Sequence, residues 1–368
     1  MSGNAADIAI IGGGIIGCAL AYDLARGGAR VTLFDRRDLA REASWASAGI
    51  ISAPLPGAGD ILPIALRSYL RYPELIAEIE ERAGFRTGWH VTGKTILATE
   101  TEAASARELV DWSREQGIEA DWLDRDALRK HEPAVAERFV GGLYQPQIAS
   151  VMLDRVARAL ALAAEQLGAT IRPHEAVMDI DIHDGRAVAL RTLHERVPTG
   201  QVIVAAGAWS RMFGDALDLQ IPTVPVRGQM MAVAGVSPGI NTLLAYDGVY
   251  VVPRADGTVA VGATEEPESG FNVAVTPAGI SWLTEKAAAI APPVARGKLV
   301  STWAGLRPGT THGRPIIGPV PHLDNVWIVT GHFRSGALLA AGTSEIVAES
   351  LLGGALDERL KPFLPGSA

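Results

Sequence analysis

The chain has 368 residues, 48% hydrophobic and 20% charged, enough to bury the cores of about two domains and too apolar for a disordered polypeptide. A net charge of −8 without a lysine- or arginine-rich run argues against nucleic acid as a partner, and one cysteine, Cys18, excludes an internal disulfide or a cysteine-rich zinc site, so no metal is expected. No apolar run reaches the ~18 residues of a membrane span, and Asp7, directly ahead of the first apolar run, argues against a signal peptide, so a soluble, cytoplasmic protein is expected.

Residues 7–11 (DIAII) predict a buried parallel strand. Gly12-Gly13-Gly14-Ile15-Ile16-Gly17 follows, then a helical stretch over 18–26 that Gly27-Gly28 ends. Residues 30–34 predict a second strand, closed by Asp35. Strand, GxGxxG, helix, strand and acid, in that order, predict a dinucleotide site. Gly12 permits a tight turn, Gly14 lets a pyrophosphate approach the backbone, and Gly17 lets the helix lie close to the strand. The helix N-terminus offers N–H groups and partial positive charge to the phosphates. An acid at position 35 suits free ribose hydroxyls, which favours FAD or NAD over NADP. The next stretch, 41–51, is a small-residue loop with hydroxyls that suits a flat ring system; read alone it is equally an ordinary solvated loop.

Helices are predicted over 60–83, 102–116 and 154–166, and a strand-like stretch over 87–99 turns at Gly93-Lys94. The β pattern resumes at 169–171 and 176–180. The apolar run 201–206 enters a small-residue turn at Gly207, which is either a strand end beside the nucleotide or plain tight packing. From 220 to 304 the texture changes. Strands are predicted at 229–234, 249–253 and 259–263, with turns at Asp247-Gly248 and Asp256-Gly257 that suit antiparallel hairpins. Near the C-terminus come 302–310 (TWAGLRPGT), a strand over 326–329, the glycine-rich 330–336, and an apolar helix over 337–352. That helix start can press against a flat ring and place its positive end near a developing anion.

On the residues GGGIIG (12–17), ASWASAGII (43–51), AAGAWS (205–210), GVYVVPR (248–254), WAGLRPGT (303–310) and GHFRSG (331–336), the chain resembles the glycine oxidase/D-amino-acid oxidase family of flavoproteins. Within it the likeness is to the bacterial glycine oxidases of thiamine biosynthesis. The resemblance implies an α/β fold with a Rossmann-like FAD-binding domain and an antiparallel-sheet substrate domain, interleaved along the chain. The expected division is 1–83, 142–222 and 305–368 for FAD, and 84–141 and 223–304 for substrate. It implies non-covalent FAD, since Cys18 is far from the position where related sarcosine oxidases attach flavin. Implied cofactor contacts are Gly12, Gly14, Ile15, Ile16, Gly17, Asp35 and Arg36; Ser44, Ser47, Ala48, Gly49 and Ile50; Val177, Ala206, Gly207, Trp209, Gly305 and Arg307; and His332, Phe333, Arg334, Ser335, Gly336 and Ala337. Arg307 resembles the family's carboxylate anchor, Tyr250 its hydroxyl partner, and Arg334 an arginine near the substrate amine or the flavin. A planar guanidinium grips a carboxylate through two hydrogen bonds, which lysine cannot copy.

Two positions depart from the family pattern: Gly248 replaces a histidine and Glu265 a methionine. Glu265, placed with Tyr246 among the substrate contacts, is expected to pair with Arg334 or to reach a cationic part of the substrate; the alternative is that it points to solvent. The expected reaction is hydride transfer from the α-carbon of glycine, sarcosine or a D-amino acid to flavin, with no side-chain base at that carbon. Oxygen as acceptor yields hydrogen peroxide; another acceptor makes the enzyme a dehydrogenase of an amino or 2-hydroxy acid. Relatives of this kind often assemble, so a homo-oligomer is a further expectation.

Overall fold

The computed structural model describes residues 7–366. Its first layer is a six-stranded sheet in the order Ile316–Pro319, Val326–Thr330, Gln201–Val204, Asp7–Ile11, Arg30–Phe34, Thr170–Arg172. Every pairing is parallel except that of the edge strand Ile316–Pro319. From Ile8 onward the central strand Asp7–Ile11 is apolar because both of its faces are covered. Ile8 and Ile10 pack with the helices Ile15–Arg26, Leu62–Ala83, Leu153–Gln166 and Gly336–Gly353, whereas Ala9 and Ile11 join Val202, Val204 and Ile328 on the opposite side. A three-stranded antiparallel sheet, Val177–His183, Arg186–Thr192 and Arg196–Pro198, closes that second face. The sequence pattern had continued the β run through Val177; the structure puts Thr170–Arg172 in the parallel sheet and Val177–His183 in this separate one. Buried Asp23 ties three helices together, accepting from Arg71 Nη1 (2.8 Å) and Ser344 Oγ (2.6 Å).

The second layer system is an eight-stranded sheet in the order Lys298–Thr310, Thr223–Ala234, Val259–Gly262, Val249–Pro253, Leu243–Tyr246, Lys94–Ala98, Gly141–Gln145, Asp121–Asp124. All its pairings are antiparallel except Leu243–Tyr246 with Lys94–Ala98. Asp247 and Gly248 have φ of 48° and 74°, the two-residue left-handed turn that matches strand twist in a hairpin. That conformation explains glycine at 248, where a histidine is strained. One face of the sheet packs on helix Pro277–Ile290; the other carries Met230, Leu243, Val252 and Ala260 toward the loop of Ala48 and Ile50. The expected strand over 87–99 is shorter: Lys94–Ala98 enters the large sheet, while His90–Val91 pairs with Ala149–Ser150 instead. Residues 302–310, for which no strand was predicted, belong to the strand Lys298–Thr310, which pairs along the whole of Thr223–Ala234.

Candidate active site

Where the two sheets meet, a cavity of about 500 Å³ runs from Asp35 to Tyr250 and Arg307. Its first end is made of backbone. Gly12 has φ +112°, and a Cβ there would lie 2.5 Å from the Ala205 carbonyl oxygen. A Cβ on Gly17 would lie 1.8 Å from the Gly12 carbonyl oxygen, so helix Ile15–Arg26 approaches the loop only because residue 17 has no side chain. At Gly14 the nearest atom to a Cβ is Ser44 Oγ at 3.5 Å, which leaves the backbone open to the cavity. The first helical turn has no acidic residue and no side-chain cap at Gly14. Its partial positive charge is therefore free for an anion; the Ile15 N–H itself donates to Ser44 Oγ at 2.9 Å.

Asp35 accepts from Gly13 N (2.7 Å) and Arg37 N (2.8 Å), which fixes the carboxylate beside the glycine loop. Burial raises its pKa, and those two backbone donors pull the other way. Arg36 lies over the Trp209 ring, 4.1 Å from its centroid, and holds Glu42 at 2.9 Å. Glu175 also lines this end; one of its carboxylate oxygens pairs with Arg172 at 2.6 Å, while Oε1 is buried without a hydrogen-bond partner. The sequence reading missed Glu175, whose only signal was its place just before Val177.

Along the middle run Ile15, Ile16, Ser44, Ser47, Ala48 and Ile50, faced by Val177, Ala206, Gly207 and Gly305. Gly305 abuts Ala46, where a Cβ would lie 2.4 Å from the alanine side chain, and Trp303 Nε1 donates to the Ala46 carbonyl at 3.0 Å. His332, Phe333, Arg334, Gly336 and Ala337 bring the start of helix Gly336–Gly353 to the cavity. His332 is buried; desolvation lowers its pKa to about 4, Nε2 meets Thr343 Oγ1 at 3.3 Å, and Nδ1 has no partner. The ring is therefore neutral at pH 7.

The far end is made of side chains. Tyr250 is carried on Val249–Pro253 and its hydroxyl lies 3.9 Å from Met230 Sδ. Burial raises its pKa, against the opposite pull of the neighbouring Arg307. Arg307 projects from Lys298–Thr310 across Gly228, where a Cβ would collide with the guanidinium at 2.4 Å. Its Nη1 donates to the Thr264 carbonyl at 2.9 Å, and no carboxylate pairs with it among the described residues. Thr264 is itself fixed: its hydroxyl donates to Glu266 Oε1 (2.5 Å) and accepts from Gln229 N (2.9 Å). Burial pushes Glu266 up, but hydrogen bonds from Thr264, Arg227 and Gln229 outweigh it and hold the carboxyl below its usual range. Arg334 pairs with Glu265, one of the two arrangements expected for that glutamate.

Five of the residues singled out from sequence do not line the cavity. Gly17 and Gly49 act by close packing, Gly49 against the Val151 carbonyl oxygen, 1.8 Å from where a Cβ would stand. The Ser335 N–H closes a turn on the His332 carbonyl at 3.0 Å. Glu265 lies beyond the lining on Arg334. Tyr246 points to the other face of the sheet, its ring 4.9 Å from that of Phe139 and under Arg138. Cys18 is sealed in the core, and burial pushes its thiol well up, so it offers no thiolate. No cluster of potential metal ligands occurs among the described residues.

A glycine loop, an acid at the second strand and a long cavity ending on a free guanidinium define a dinucleotide-dependent oxidoreductase. Comparison with known proteins specifies it. The FAD dependent oxidoreductase family profile matches residues 7–350. The glycine oxidase of Geobacillus kaustophilus is 32% identical over 349 residues, covering 93% of this chain and 92% of that protein. The crystal structure of glycine oxidase from the same organism superimposes with a TM-score of 0.91 at 31% identity, covering 99% of both chains. An iminodiacetate oxidase from Chelativorans sp. BNC1 gives 0.87 at 27% identity, covering 97% of this chain and 98% of that one. The chain belongs to the FAD dependent oxidoreductase family. The cavity fits that cofactor on its own terms: the glycine cradle leaves no room for side chains, a helix N-terminus is open to the phosphates, and orphaned polar atoms of Glu175 and His332 are buried at the lining.

Proposed function

We propose that the chain oxidises the C–N bond of a small amino acid or N-alkyl glycine (glycine, sarcosine or a D-amino acid) to the imine, which water converts to a 2-oxo acid and ammonia or amine. The observation that carries this reading is Arg307: a cation at the cavity end with one hydrogen bond to protein and no carboxylate of its own. Its remaining N–H groups offer a fork to a substrate carboxylate. The Tyr250 hydroxyl adds a donor beside it. Together they fix where the substrate's α-carbon stands, and positioning is the main contribution these side chains make. Bound FAD supplies the two-electron acceptor for the α-hydride, and oxygen or another acceptor reoxidises it. The start of helix Gly336–Gly353, with no acid in its first turn, lends positive charge to that end of the cavity.

His332 is the sole histidine of the lining, and as a buried neutral ring with a depressed pKa it is a poor base for a hydroxyl proton. That favours an amine over a 2-hydroxy acid. The same residues serve FAD in this reading as the resemblance implies, with the six-stranded sheet carrying cofactor and the eight-stranded sheet carrying substrate. No helix among the described residues is long and apolar enough to cross a membrane, and the reading places the enzyme in the cytoplasm. The test is the visible spectrum of purified protein. Flavin bands bleached under nitrogen by glycine, sarcosine or a D-amino acid, with peroxide formed on readmitting air, support an oxidase. Bleaching without peroxide supports a dehydrogenase. Bleaching by lactate-type acids alone overturns the amine reading.

A further inference from the structure

We propose that Glu265 is a specificity-determining residue: by occupying Arg334 it confines the site to amines that carry a single carboxylate. The inference rests on the amine-oxidising reading above. Three arginines converge on the segment 264–266, and the chain treats each differently. Arg227 is spent on Glu266, with Nε–Oε2 at 3.0 Å. Arg334 is held by Glu265. Arg307 alone has no carboxylate and meets only the Thr264 carbonyl, at 2.9 Å. Three cations and two anions therefore leave one net positive charge, and it sits on Arg307.

Arg334 is the informative member. It lines the same cavity as Arg307 and Tyr250, close enough for its charge to act on the Tyr250 hydroxyl. The atoms that hold Arg307 and Arg334 belong to consecutive residues, Thr264 and Glu265, whose Cα atoms are ~3.8 Å apart. Both guanidinium groups thus face one cavity, and a short amino diacid carries an acid group for each. Freed, Arg334 is a second carboxylate anchor. Paired, its charge is neutralised by Glu265, and that carboxylate, just outside the lining, adds like charge against the diacid. The pair is solvated, with side chains 57% and 39% exposed, so as a contribution to stability it is minor. Its effect falls instead on which anion enters. The Arg334 guanidinium is also 5.4 Å from the Phe333 ring centroid, a second contact that keeps it in this orientation.

The experiment compares N-carboxymethylglycine, a diacid, with sarcosine, its monoacid counterpart, in the FAD-loaded enzyme and in Glu265→Gln. The readout is the rate of flavin bleaching divided by the apparent Kd. The unaltered enzyme is expected to favour the monoacid at least tenfold. Glu265→Gln is expected to raise the diacid-to-monoacid ratio at least tenfold, and adding Arg334→Gln to reverse the gain. Titrating malonate against acetate, followed by the shift in the flavin bands, repeats the comparison without turnover. If no amine bleaches the flavin, the proposed reaction fails, and the malonate titration still decides the role of Glu265. An unaltered enzyme that takes diacid and monoacid alike, or a ratio that Glu265→Gln does not move, overturns the inference.

Discussion

The two ends of the cavity are built by opposite means. At the Asp35 end the chain removes side chains: Gly12, Gly14 and Gly17 each clear a path, and the binding groups are main-chain N–H donors and a helix terminus. At the Arg307 end it adds them: Tyr250, Arg307 and Arg334 reach in from three separate segments, Tyr250 against Met230, Arg307 on the Thr264 carbonyl and Arg334 on Glu265. A cofactor that is always the same suits a site of fixed backbone. A substrate pocket built from side chains on a large sheet changes preference by single substitutions that leave the sheet intact. Gly248 and Glu265 both stand outside the lining, and in the proposed reading Glu265 acts through Arg334.

This contrast predicts separable losses. The largest effect is expected at the backbone end. Gly17→Val forces a side chain into the Gly12 carbonyl, from which even a Cβ stands only 1.8 Å, so the glycine loop must move. The protein is expected to lose FAD entirely, read as the ratio of flavin to protein absorbance. A fully flavinated variant breaks the comparison. Next, Arg307→Ala is expected to raise KM for carboxylate substrates at least tenfold, in line with the ~1.5–3 kcal/mol of a charged hydrogen bond, while flavin content stays high. An unchanged KM across glycine, sarcosine and D-amino acids removes Arg307 from the anchor role.

A third effect concerns acid. Burial holds His332 near 4, whereas an unfolded histidine titrates near ~6.5. Between those values the unfolded chain binds a proton and the folded chain does not. His332 is therefore expected to withdraw stability as pH drops from about 6.5 toward 4, by roughly 1–3 kcal/mol, with its own contribution levelling off below. Urea midpoints at pH 7, 5.5 and 4.5 measure it, and His332→Gln should flatten this part of the slope. The smallest effect is Thr264→Val, which keeps the carbonyl that holds Arg307 but cuts its hydroxyl tie to Glu266. KM is expected to rise a few-fold, about 1 kcal/mol, with kcat nearly unchanged and Thr264→Ser restoring it. A fall in melting temperature with constant KM would mean that the tie serves only the fold.

The same contrast governs what the sequence could show. Glycine spacing, a strand ahead and an acid behind are local, so the Asp35 end was legible from some thirty residues. The Arg307 end depends on register between distant strands. Arg307 is held where it is because Gly228, from the neighbouring strand, gives it a flat surface, and because Thr264 offers a carbonyl; neither is near it in sequence. Tyr246 shows the cost of missing register. It lies four residues from Tyr250 and shares its hairpin, yet Tyr250 stands opposite Ala245 and Tyr246 opposite Val249. Across the turn that single step of pairing puts the two rings on opposite faces of the sheet. The motif at 302–310 drew attention for its likeness to the family and for Arg307, while its place as one half of a twelve-pair ladder with Thr223–Ala234 was visible only with its partner in place.

That ladder has a thermodynamic consequence. Lys298–Thr310 runs, with one bulge opposite Ala232 and Val233, from exposed residues 298–302 to Gly305 and Arg307 at the cavity, and Trp303 pins it to the Ala46 carbonyl on the way. Neither half can melt without dragging this rod out of register. Calorimetry should therefore record a single endotherm, and a protease nick between residues 300 and 305 should extinguish flavin colour and turnover together, with no surviving half-molecule to isolate.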